Sequence, residues 1–327
     1  MKKNFKTFVD QINQSTKLFT PGPASLVLEN LSGLRPCFGR GDLKYDEIEK
    51  RVLKNILKIS GHKNIARLQG AASFALEIMI SNFLFGNILI INTGVYSDRL
   101  KYMSETSKRK YKFIKKIDYV NYKNIDQIVK KYDWVMACPV ETSIGYKIPI
   151  TELFKIKKRC RSKLALDATA SIGLENNHNL SDVAAFSSCK GLFGLTGGAF
   201  ISFNNISYNE IDVFNLNILN HLEKKMTGPY HAICSLDGVL RNYKNFSYSV
   251  KLNKKIFIGR MKEYLLYPKK NQPNLCTLVN KKIKSLNKNV VLYKSRADVD
   301  GSVVCHLGEV HLKKSSKGKI LDYLEAL

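Results

Sequence analysis

An alternation of short apolar runs with longer amphipathic stretches, beginning near Tyr45, most constrains the fold of this chain. The run ILIINTG, residues 88–94, is almost continuously apolar and ends at a glycine, as is typical of a strand buried on both faces of a sheet. The stretch 46–59 instead places Ile48, Val52 and Ile56 at four-residue spacing, which predicts one stripe of an amphipathic helix. Strands alternating with helices of this kind indicate βαβ units and a mostly parallel sheet.

The other elements follow the same alternation up to about residue 204. Strands are predicted at 64–70, 111–117, 133–139, 163–169 and 182–190, and helices at 72–85, 124–132 and 150–160. Beyond it, helices near 231–243 and 247–266 precede short strands at 275–280, 290–294 and 302–308, and a final helix is predicted at 317–327. This change of pattern predicts a large α/β domain over 1–245 and a smaller α+β domain over 246–327. The segment 1–25 is expected to pack on the small domain or on a partner subunit.

Composition narrows the class of protein. No run approaches the ~20 apolar residues of a membrane helix, and the polar N-terminus lacks the apolar centre of a secretory signal. Seven dispersed cysteines without a CxxC pair favour reduced thiols and a cytoplasmic location, and the six histidines form no metal-ligand spacing with them. The net charge of +26 is spread along the chain without a nucleic-acid-binding motif, so nucleic-acid binding is kept only as an alternative.

Three polar features fall where predicted strands end, and ligands of open parallel sheets bind at that edge. Asp167 closes the run LALD, and Lys190 follows AAFSSC and precedes a glycine-rich turn. In QGAASFALE, a strand gives way to a helix whose first N–H groups, at Ala71, Ala72 and Ser73, could bind an anion. Capping of that helix by Ser73 is an equally simple interpretation.

Together these features are what pyridoxal phosphate requires. The helix N-terminus would take the phosphate, Asp167 would keep the pyridine nitrogen protonated, and Lys190 would form the Schiff base. Asp167 alone is as well explained as a loop acid or a helix cap. A lysine alone is weak evidence in a chain with 53 basic residues.

The chain also resembles, in ordered motifs along most of its length, the class V pyridoxal-phosphate aminotransferases of fold type I. Within that family it is most similar to the alanine–glyoxylate and 2-aminoethylphosphonate–pyruvate transaminase branch. The motifs are LFTPGPASL, GRGDLKYDEIEKRV, QGAASFALE, NTGVYSDRL, PVETSIGYKIPI, DATASIG, SSCKGLFGLTGGAFISF, KMTGPYHA and LGEVHL.

The resemblance implies the fold of a fold type I transferase, with a seven-stranded, mostly parallel sheet, and transfer of an amino group from a small amine to a keto acid. It implies Lys190 and Asp167 as the catalytic pair. The other cofactor contacts that it implies are ring stacking by Tyr96, a hydroxyl from Thr142, Thr169 beneath the ring, Ser188 beside the lysine, and Thr227 reaching the phosphate of a neighbouring subunit. This last contact implies a homodimer with shared active sites.

Three departures leave the substrate open. The phosphate loop reads GAAS, without the second hydroxyl of the family, and Cys189 precedes the lysine where relatives have an amide. Val303 stands where relatives carry an arginine that grips the substrate carboxylate, and an apolar side chain cannot form that pair. Three explanations stay open: another basic residue replaces it, with Arg40 and Arg296 as candidates; the substrate is not an ordinary α-amino acid; or the chain is a diverged protein with weak activity. A class V lyase resembling cysteine desulfurase is a second enzyme hypothesis, although Tyr96 and Thr169 stand where those lyases carry histidine and glutamine.

Overall fold

The computed structural model describes residues 6–9, 11, 16–35 and 41–308, together with the backbone of 324–326. In chain order its strands are β1 (Lys17–Phe19), β2 (Asn64–Gln69), β3 (Gly86–Asn92), β4 (Ile114–Asn121), β5 (Trp134–Ala137), β6 (Val140–Glu141), β7 (Tyr146–Lys147), β8 (Lys163–Asp167), β9 (Val183–Ser187), β10 (Gly198–Phe203), β11 (Cys276–Val279), β12 (Ile283–Ser285), β13 (Val290–Leu292), β14 (Ser302–Cys305) and β15 (Leu324–Ala326).

The α-helices are α1 (Leu28–Ser32), α2 (Leu43–Ser60), α3 (Ala72–Phe83), α4 (Val95–Tyr111), α5 (Ile150–Cys160), α6 (Ile218–Leu222), α7 (Tyr230–Leu240) and α8 (Tyr243–Arg260). Short 3-10 turns lie at Tyr122–Gln127, His178–Leu180, Phe214–Leu216, Lys262–Tyr264 and Lys269–Asn271. In the part of the chain that is described, no helix combines the length and apolar character needed to cross a membrane.

The central sheet has seven strands in the order β2-β10-β9-β8-β5-β3-β4. Strand β10 runs antiparallel to both of its neighbours, β2 and β9, and every other pair in the sheet is parallel. The mostly parallel seven-stranded sheet predicted from the sequence is therefore confirmed.

Both faces of this sheet are covered by helices, which explains why its strands read as continuous apolar runs. Successive side chains of a strand point to opposite faces. Leu89 and Ile91 of β3 belong to the cluster that includes buried side chains of α2, α5 and α7. Ile88 and Ile90 belong to the opposite cluster, built with α3 and α4. The sheet is thus the middle layer of a three-layer α/β domain.

Helix α2 illustrates how local sequence sets the boundaries of these layers. The Asp42 carboxylate accepts hydrogen bonds from the backbone N–H groups of Lys44 and Tyr45, at 3.0 and 3.2 Å, and so caps the first turn. At the other end Gly61 adopts a φ of +73°, the left-handed conformation that commonly terminates a helix. Between the caps, Val52 and Ile56 are completely buried, as their spacing predicts.

The C-terminal part is built from strand pairs around helix α8. Strand β1 pairs in parallel with β13, β11 pairs antiparallel with β14, and β12 pairs antiparallel with β15. Helix α8 buries Val250 in the large cluster and Phe257 in a smaller one with Phe19. Since this helix contacts both clusters, the domain division at residue 245 stays a prediction.

Two predicted helices are wrong in part. The expected helix 124–132 is only a 3-10 turn that ends at Gln127, because tertiary contacts hold the rest of the segment. Tyr132 donates its hydroxyl to Asp118 at 2.7 Å and its N–H to the Cys160 carbonyl at 3.1 Å. The expected C-terminal helix 317–327 is contradicted at 324–326, which form β15; residues 317–323 lie outside the described residues.

Other boundaries move by a few residues. The strand expected at 111–117 forms at Ile114–Asn121, since α4 continues to Tyr111. The basic helix expected at 247–266 is α8, which begins earlier and ends at Arg260. None of these shifts changes the topology of the sheet.

Candidate functional site

The predicted site residues share one edge of the central sheet. Strands β2, β3, β5, β8 and β9 all point the same way, because the antiparallel β10 separates β2 from β9. Their carboxyl ends therefore lie along a single edge, where an open sheet binds its ligands. The loops that leave this edge carry Ala71–Ser73, Tyr96, Thr142, Asp167 and Lys190, which lie far apart in sequence.

The ring of Tyr96 is the meeting point of the two catalytic candidates. The Lys190 ammonium nitrogen lies 5.9 Å from the ring centroid. The guanidinium carbon of Arg99, one helical turn further along α4, lies 5.0 Å from the same centroid. Arg99 Nη2 in turn lies 3.3 Å from Asp167 Oδ2. Lysine, aromatic ring and carboxylate are thus joined by a short chain of contacts.

The electrostatic surroundings of one buried thiol are consistent with this grouping. The Cys138 thiol is buried next to the site, and burial raises its pKa well above the ordinary value. The same thiol is close enough to Asp167, Glu141, Arg99 and Lys190 to feel the charge of each. Four charged groups therefore surround a small volume at the sheet edge.

Asp167 is buried and held in a fixed orientation. Only 2% of the residue is exposed. Its Oδ1 accepts the Thr169 N–H at 3.0 Å and also the Thr169 hydroxyl, while Oδ2 faces Arg99. A carboxylate offers about four lone pairs, so Oδ2 keeps the capacity to accept one more donor such as a pyridinium N–H. Thr169, expected beneath a cofactor ring, acts in this structure by orienting Asp167.

Glu141 is a site residue that the sequence reasoning did not single out. Its carboxylate is completely buried, and burial raises its pKa. Oε2 accepts the Tyr96 N–H at 3.0 Å, and Oε1 accepts the Ser143 N–H at 3.3 Å and the Ser143 hydroxyl. It thereby joins the loop that carries Thr142 to the start of α4, which carries Tyr96. The available signal was the one used for Asp167, an acid just after an apolar strand.

A glycine is required where this loop and helix meet. Gly94 has a φ of +143°, which side chains with a Cβ rarely adopt. A Cβ built on it would lie 3.1 Å from Glu141 Cγ. Gly94 therefore permits the close approach that lets Glu141 reach the Tyr96 N–H.

Thr142 provides an unsatisfied polar atom inside the site. The residue is completely buried, and its Oγ1 has no hydrogen-bond partner within the described residues. A buried hydroxyl without a partner costs about 1–3 kcal/mol, so such groups normally mark a missing ligand or water. Thr142 was predicted to bond the phenolic oxygen of a cofactor, and this orphaned hydroxyl fits that role.

The N-terminal segment packs against the side chain of Lys190. A Cβ on Gly22 would meet Lys190 Cγ at 3.1 Å, so the glycine lies directly against the lysine stem. Ala24 donates its N–H to the Cys189 carbonyl at 2.7 Å. The TPGP turn therefore forms one wall of the site.

The N-terminus of α3 fits the expected anion cradle. Ala71 is the N-cap and supplies no capping side chain, and Ser73 is the second residue of the helix. The interpretation that Ser73 caps this helix is therefore wrong. The first N–H groups of a helix have no partner within it, so those at Ala72 and Ser73 remain available to a phosphate.

Two further predicted contacts have other surroundings. Ser188 is buried, and its hydroxyl bonds to the Leu195 carbonyl and, at 3.0 Å, to the Gly198 carbonyl, which orders the glycine-rich loop. Thr227 is exposed and lines a cavity of about 460 Å³ with Gly70 and Gly197, next to the cradle. Cofactor contacts by Ser188 and Thr227 stay predictions.

The substrate-clamp candidates differ clearly in position. Val303 is buried in the large apolar cluster and pairs with Leu278, so this position has become part of the core. Arg40 lies outside the described residues. Arg296 is exposed, and its neighbour Ser295 donates its hydroxyl to the Ser143 carbonyl at 2.5 Å. The segment that carries Arg296 is thus tied to the Glu141–Ser143 loop.

These residues fit pyridoxal phosphate. The helix N-terminus suits the phosphate, the Asp167 carboxylate suits the pyridine nitrogen, and the Thr142 hydroxyl lacks the partner that a phenolic oxygen would be. Tyr96 offers a ring for stacking, with the Lys190 amine above it.

Comparison with known proteins agrees with this geometry. No family model matches the chain. It is 25% identical over 252 residues to a 2-aminoethylphosphonate–pyruvate transaminase of Pseudomonas aeruginosa, covering 69% of this chain and 68% of the relative. An aspartate aminotransferase from Thermus thermophilus superposes with a TM-score of 0.79 at 16% identity, covering 94% of this chain and 97% of that one. An alanine–glyoxylate aminotransferase from Nostoc gives 0.77 at 16% identity, covering 94% of both chains.

The resemblance predicted from the motifs is thus confirmed, in sequence by the transaminase of Pseudomonas and in fold by the two solved aminotransferases. At 16% identity the structural similarity supports the assignment of the fold alone.

Proposed function

We propose that this chain is a pyridoxal-phosphate-dependent aminotransferase that moves an amino group from a small amine to a keto acid. The observation that carries the proposal is the convergence of Lys190 and the Arg99–Asp167 pair on the Tyr96 ring. The sequence relative named above is a transaminase, and the two solved structures of similar fold are aminotransferases. These similarities favour this function over a desulfurase-like lyase or a nucleic-acid-binding protein.

Each residue has a distinct task in this mechanism. When bound, pyridoxal phosphate supplies an electron sink for the carbon next to the transferred nitrogen. Asp167, held by Thr169, would keep a proton on the ring nitrogen, and the α3 N-terminus would bind the phosphate. Lys190 would hold the cofactor through Nζ, and the same amine would be the base that accepts and returns the transferred proton.

The surrounding residues orient this machinery. Glu141 fixes the backbone of Tyr96 through the Tyr96 N–H, and the Tyr96 ring would stack on the cofactor. The hydroxyl of Thr142, which has no partner in the described residues, would donate to the phenolic oxygen of the cofactor. The packing of Gly22 against the Lys190 stem excludes water from that side of the amine.

The substrate carries an anionic end that is gripped by Arg296. Ser295 ties this arginine to the loop of Ser143, and Val303 leaves the family position without a cation. Since the sequence relative uses 2-aminoethylphosphonate, a phosphonate or carboxylate two or three bonds from the amine is the chemistry proposed. A guanidinium forms paired hydrogen bonds with either group.

We further propose a homodimer that works in the cytoplasm. Thr227 is exposed and so is accessible to a second subunit, whose phosphate it would contact. Six buried or half-buried free thiols in the described residues suit a reducing compartment. Sedimentation of the loaded protein should give twice the chain mass, and a monomer with full activity would refute the shared site.

Borohydride trapping tests the assignment of Lys190. Reduction of the loaded protein should fix the cofactor covalently to Lys190, as shown by peptide mass mapping. Lys190→Ala should abolish trapping and transamination, whereas Lys115→Ala, which removes an exposed lysine of β4, should change neither. Trapped cofactor in Lys190→Ala would refute the assignment.

The substrate proposal has its own measurement. Arg296→Ala should raise KM for 2-aminoethylphosphonate and pyruvate about tenfold or more, the loss expected for a charged hydrogen-bonded pair, and leave trapping at Lys190 intact. Arg296→Lys should recover part of that loss. An unchanged KM for every anionic substrate would exclude Arg296 as the clamp.

A further inference from the structure

A second cavity lies beside the C-terminal half of α8, and Lys147 of β7 also lines it. Its volume is about 700 Å³, within the ~300–1,000 Å³ of small-molecule sites. None of the site residues described above lines it. The lining residues are Lys147, Lys251, Lys254, Lys255, Ile258, Gly259, Lys262, Leu265, Tyr267, Lys269, Gln272 and Asn274.

Lysine is concentrated here far beyond the general bias of the chain. Six of the twelve lining residues are lysines, against 42 of 327 in the whole sequence. Lys147 is neutralised by Glu175 at 2.9 Å. Within the described ranges, the remaining five form no ion pair, so the cavity carries an uncompensated positive charge.

The arrangement on α8 is unfavourable without an anion. Lys251 lies three residues before Lys254 and four before Lys255, and like charges at this spacing repel on a helix by a few tenths of a kcal/mol per pair. Lys254 is 7% exposed and donates to the Pro273 carbonyl. Burial lowers the pKa of Lys254 to about 8. Charges held together at a cost to the protein indicate a ligand of opposite sign.

The cavity also contains apolar and hydrogen-bonding surface. Ile258, Leu265 and the ring of Tyr267 line it together with the lysines. Gln272 is 5% exposed, its Nε2 donates to the Tyr267 carbonyl at 2.7 Å, and its Oε1 is buried without a partner in the described part of the chain. An unpartnered acceptor calls for a ligand donor such as a hydroxyl.

The undescribed segments do not have the charge to neutralise this cavity. Residues 309–323, the longest of them, contain four lysines against one glutamate and one aspartate. The side chains of residues 1–5, 10, 12–15, 36–40 and 324–327 together add two lysines and one arginine against Asp10 and Glu325. A separate anion is therefore the complementary occupant.

We propose that this cavity binds an organic phosphate of nucleotide size, with its phosphates on the lysines of α8 and its ring and hydroxyl groups against Tyr267 and Gln272. The combination of four exposed lysines, one buried lysine, an aromatic wall and an unpartnered acceptor matches the parts of a nucleoside polyphosphate. A long nucleic acid would need a groove that extends beyond this cavity of about 700 Å³.

Calorimetry on the loaded protein tests the proposal. The loaded protein is used because pyridoxal phosphate then occupies the α3 cradle, so the probes cannot bind there. ATP, adenosine and inorganic pyrophosphate are the probes, at about 0.1 M salt. ATP should bind with one site per chain, and adenosine should bind at least tenfold more weakly. Pyrophosphate should fall between them, because it satisfies the lysines but not Gln272.

Matched variants assign the site. The double variant Lys251→Ala/Lys255→Ala should weaken ATP binding tenfold or more, whereas Lys63→Ala/Lys115→Ala, with the same loss of charge at exposed positions outside the cavity, should change it less than twofold. Equal weakening by both doubles, or binding of a 20-nucleotide RNA in preference to ATP, would overturn the proposal. Trapping at Lys190 should be unchanged in both doubles, so this test and that of the aminotransferase activity fail independently.

Discussion

Replacement of Thr142 by valine separates two effects of the buried hydroxyl: its cost to the stability of the cofactor-free protein and its contribution to cofactor binding. Valine keeps the branched shape and replaces only the hydroxyl, whose Oγ1 is completely buried without a partner in the described residues. In the cofactor-free protein an unsatisfied hydroxyl costs about 1–3 kcal/mol. The free energy of unfolding of the variant should therefore exceed that of the wild type by about this amount. In the loaded protein the same change removes a hydrogen bond to the anionic phenolic oxygen, worth about 1.5–3 kcal/mol. The dissociation constant for pyridoxal phosphate should therefore rise about 10–100-fold.

Urea unfolding of both forms measures the two effects. At a cofactor concentration of 100 times its dissociation constant, binding adds about 2.7 kcal/mol to the stability of the wild-type protein. At the same concentration a tenfold weaker variant gains only about 1.4 kcal/mol. Thr142→Val should therefore be more stable than the wild type without cofactor and should gain less from its addition.

Thr277→Val is the matched control. Thr277 is also completely buried, but its hydroxyl bonds to His306 Nε2 at 3.2 Å. Its loss should destabilise both forms by about 1 kcal/mol and leave cofactor affinity unchanged. If Thr142→Val behaves like this control, or if its dissociation constant equals that of the wild type, the hydroxyl is not directed at a cofactor atom.

Three further substitutions probe the site and its support. Asp167→Asn keeps the shape but not the charge, so cofactor affinity measured by absorbance titration should fall about tenfold or more, and an unchanged value would remove Asp167 from its role. Gly94→Ala places a Cβ 3.1 Å from Glu141 Cγ at a φ of +143°, which should lower the unfolding free energy by about 1–3 kcal/mol; a neutral result would show that the loop relaxes freely. Burial lowers the pKa of His62 from 6.5 to about 4. The neutral ring therefore stabilises the fold above pH 6.5, and this contribution disappears as the pH falls towards 4. Between pH 7 and pH 5 the loss of this contribution should lower the free energy of unfolding of the wild type by about 2 kcal/mol. His62→Gln lacks the titrating ring, so its free energy of unfolding should fall by about 2 kcal/mol less over the same range.

The fold could be predicted from the sequence because its main signal is local. Each strand of the sheet is a short apolar run, and the side chains of such a run divide between two helical layers, as Ile88 and Leu89 do. The segment 124–132 shows the limit of this reasoning. Its helical pattern is overridden by the bonds of Tyr132 to Asp118 and Cys160, which come from other strands and helices.

The site was only partly predictable for a related reason. Asp167 and Lys190 could be found because each follows a strand and so lies at the carboxyl edge of the sheet. Glu141 obeys the same rule at the end of a short apolar run, but its importance depends on the contact with the Tyr96 N–H, 45 residues away in sequence. The pairing of Arg99 with Asp167 likewise depends on a tertiary contact between α4 and the end of β8, which periodicity does not specify.

The position of Val303 also explains why substrate recognition has to come from another element. Val303 lies opposite Leu278 in the β11–β14 pair, and Leu278 N would be only 2.9 Å from a Cβ on Gly145. An arginine here would have to bury its charge within this tight packing, at a cost of several kcal/mol unless a partner entered with it. Arg296, exposed and connected through Ser295 to the loop of Ser143, can approach an anionic substrate without that cost. Substrate specificity that depends on Arg296 can change by substitution at this exposed position while the core around Val303 stays intact. Arg296→Ala should therefore alter KM without lowering the free energy of unfolding.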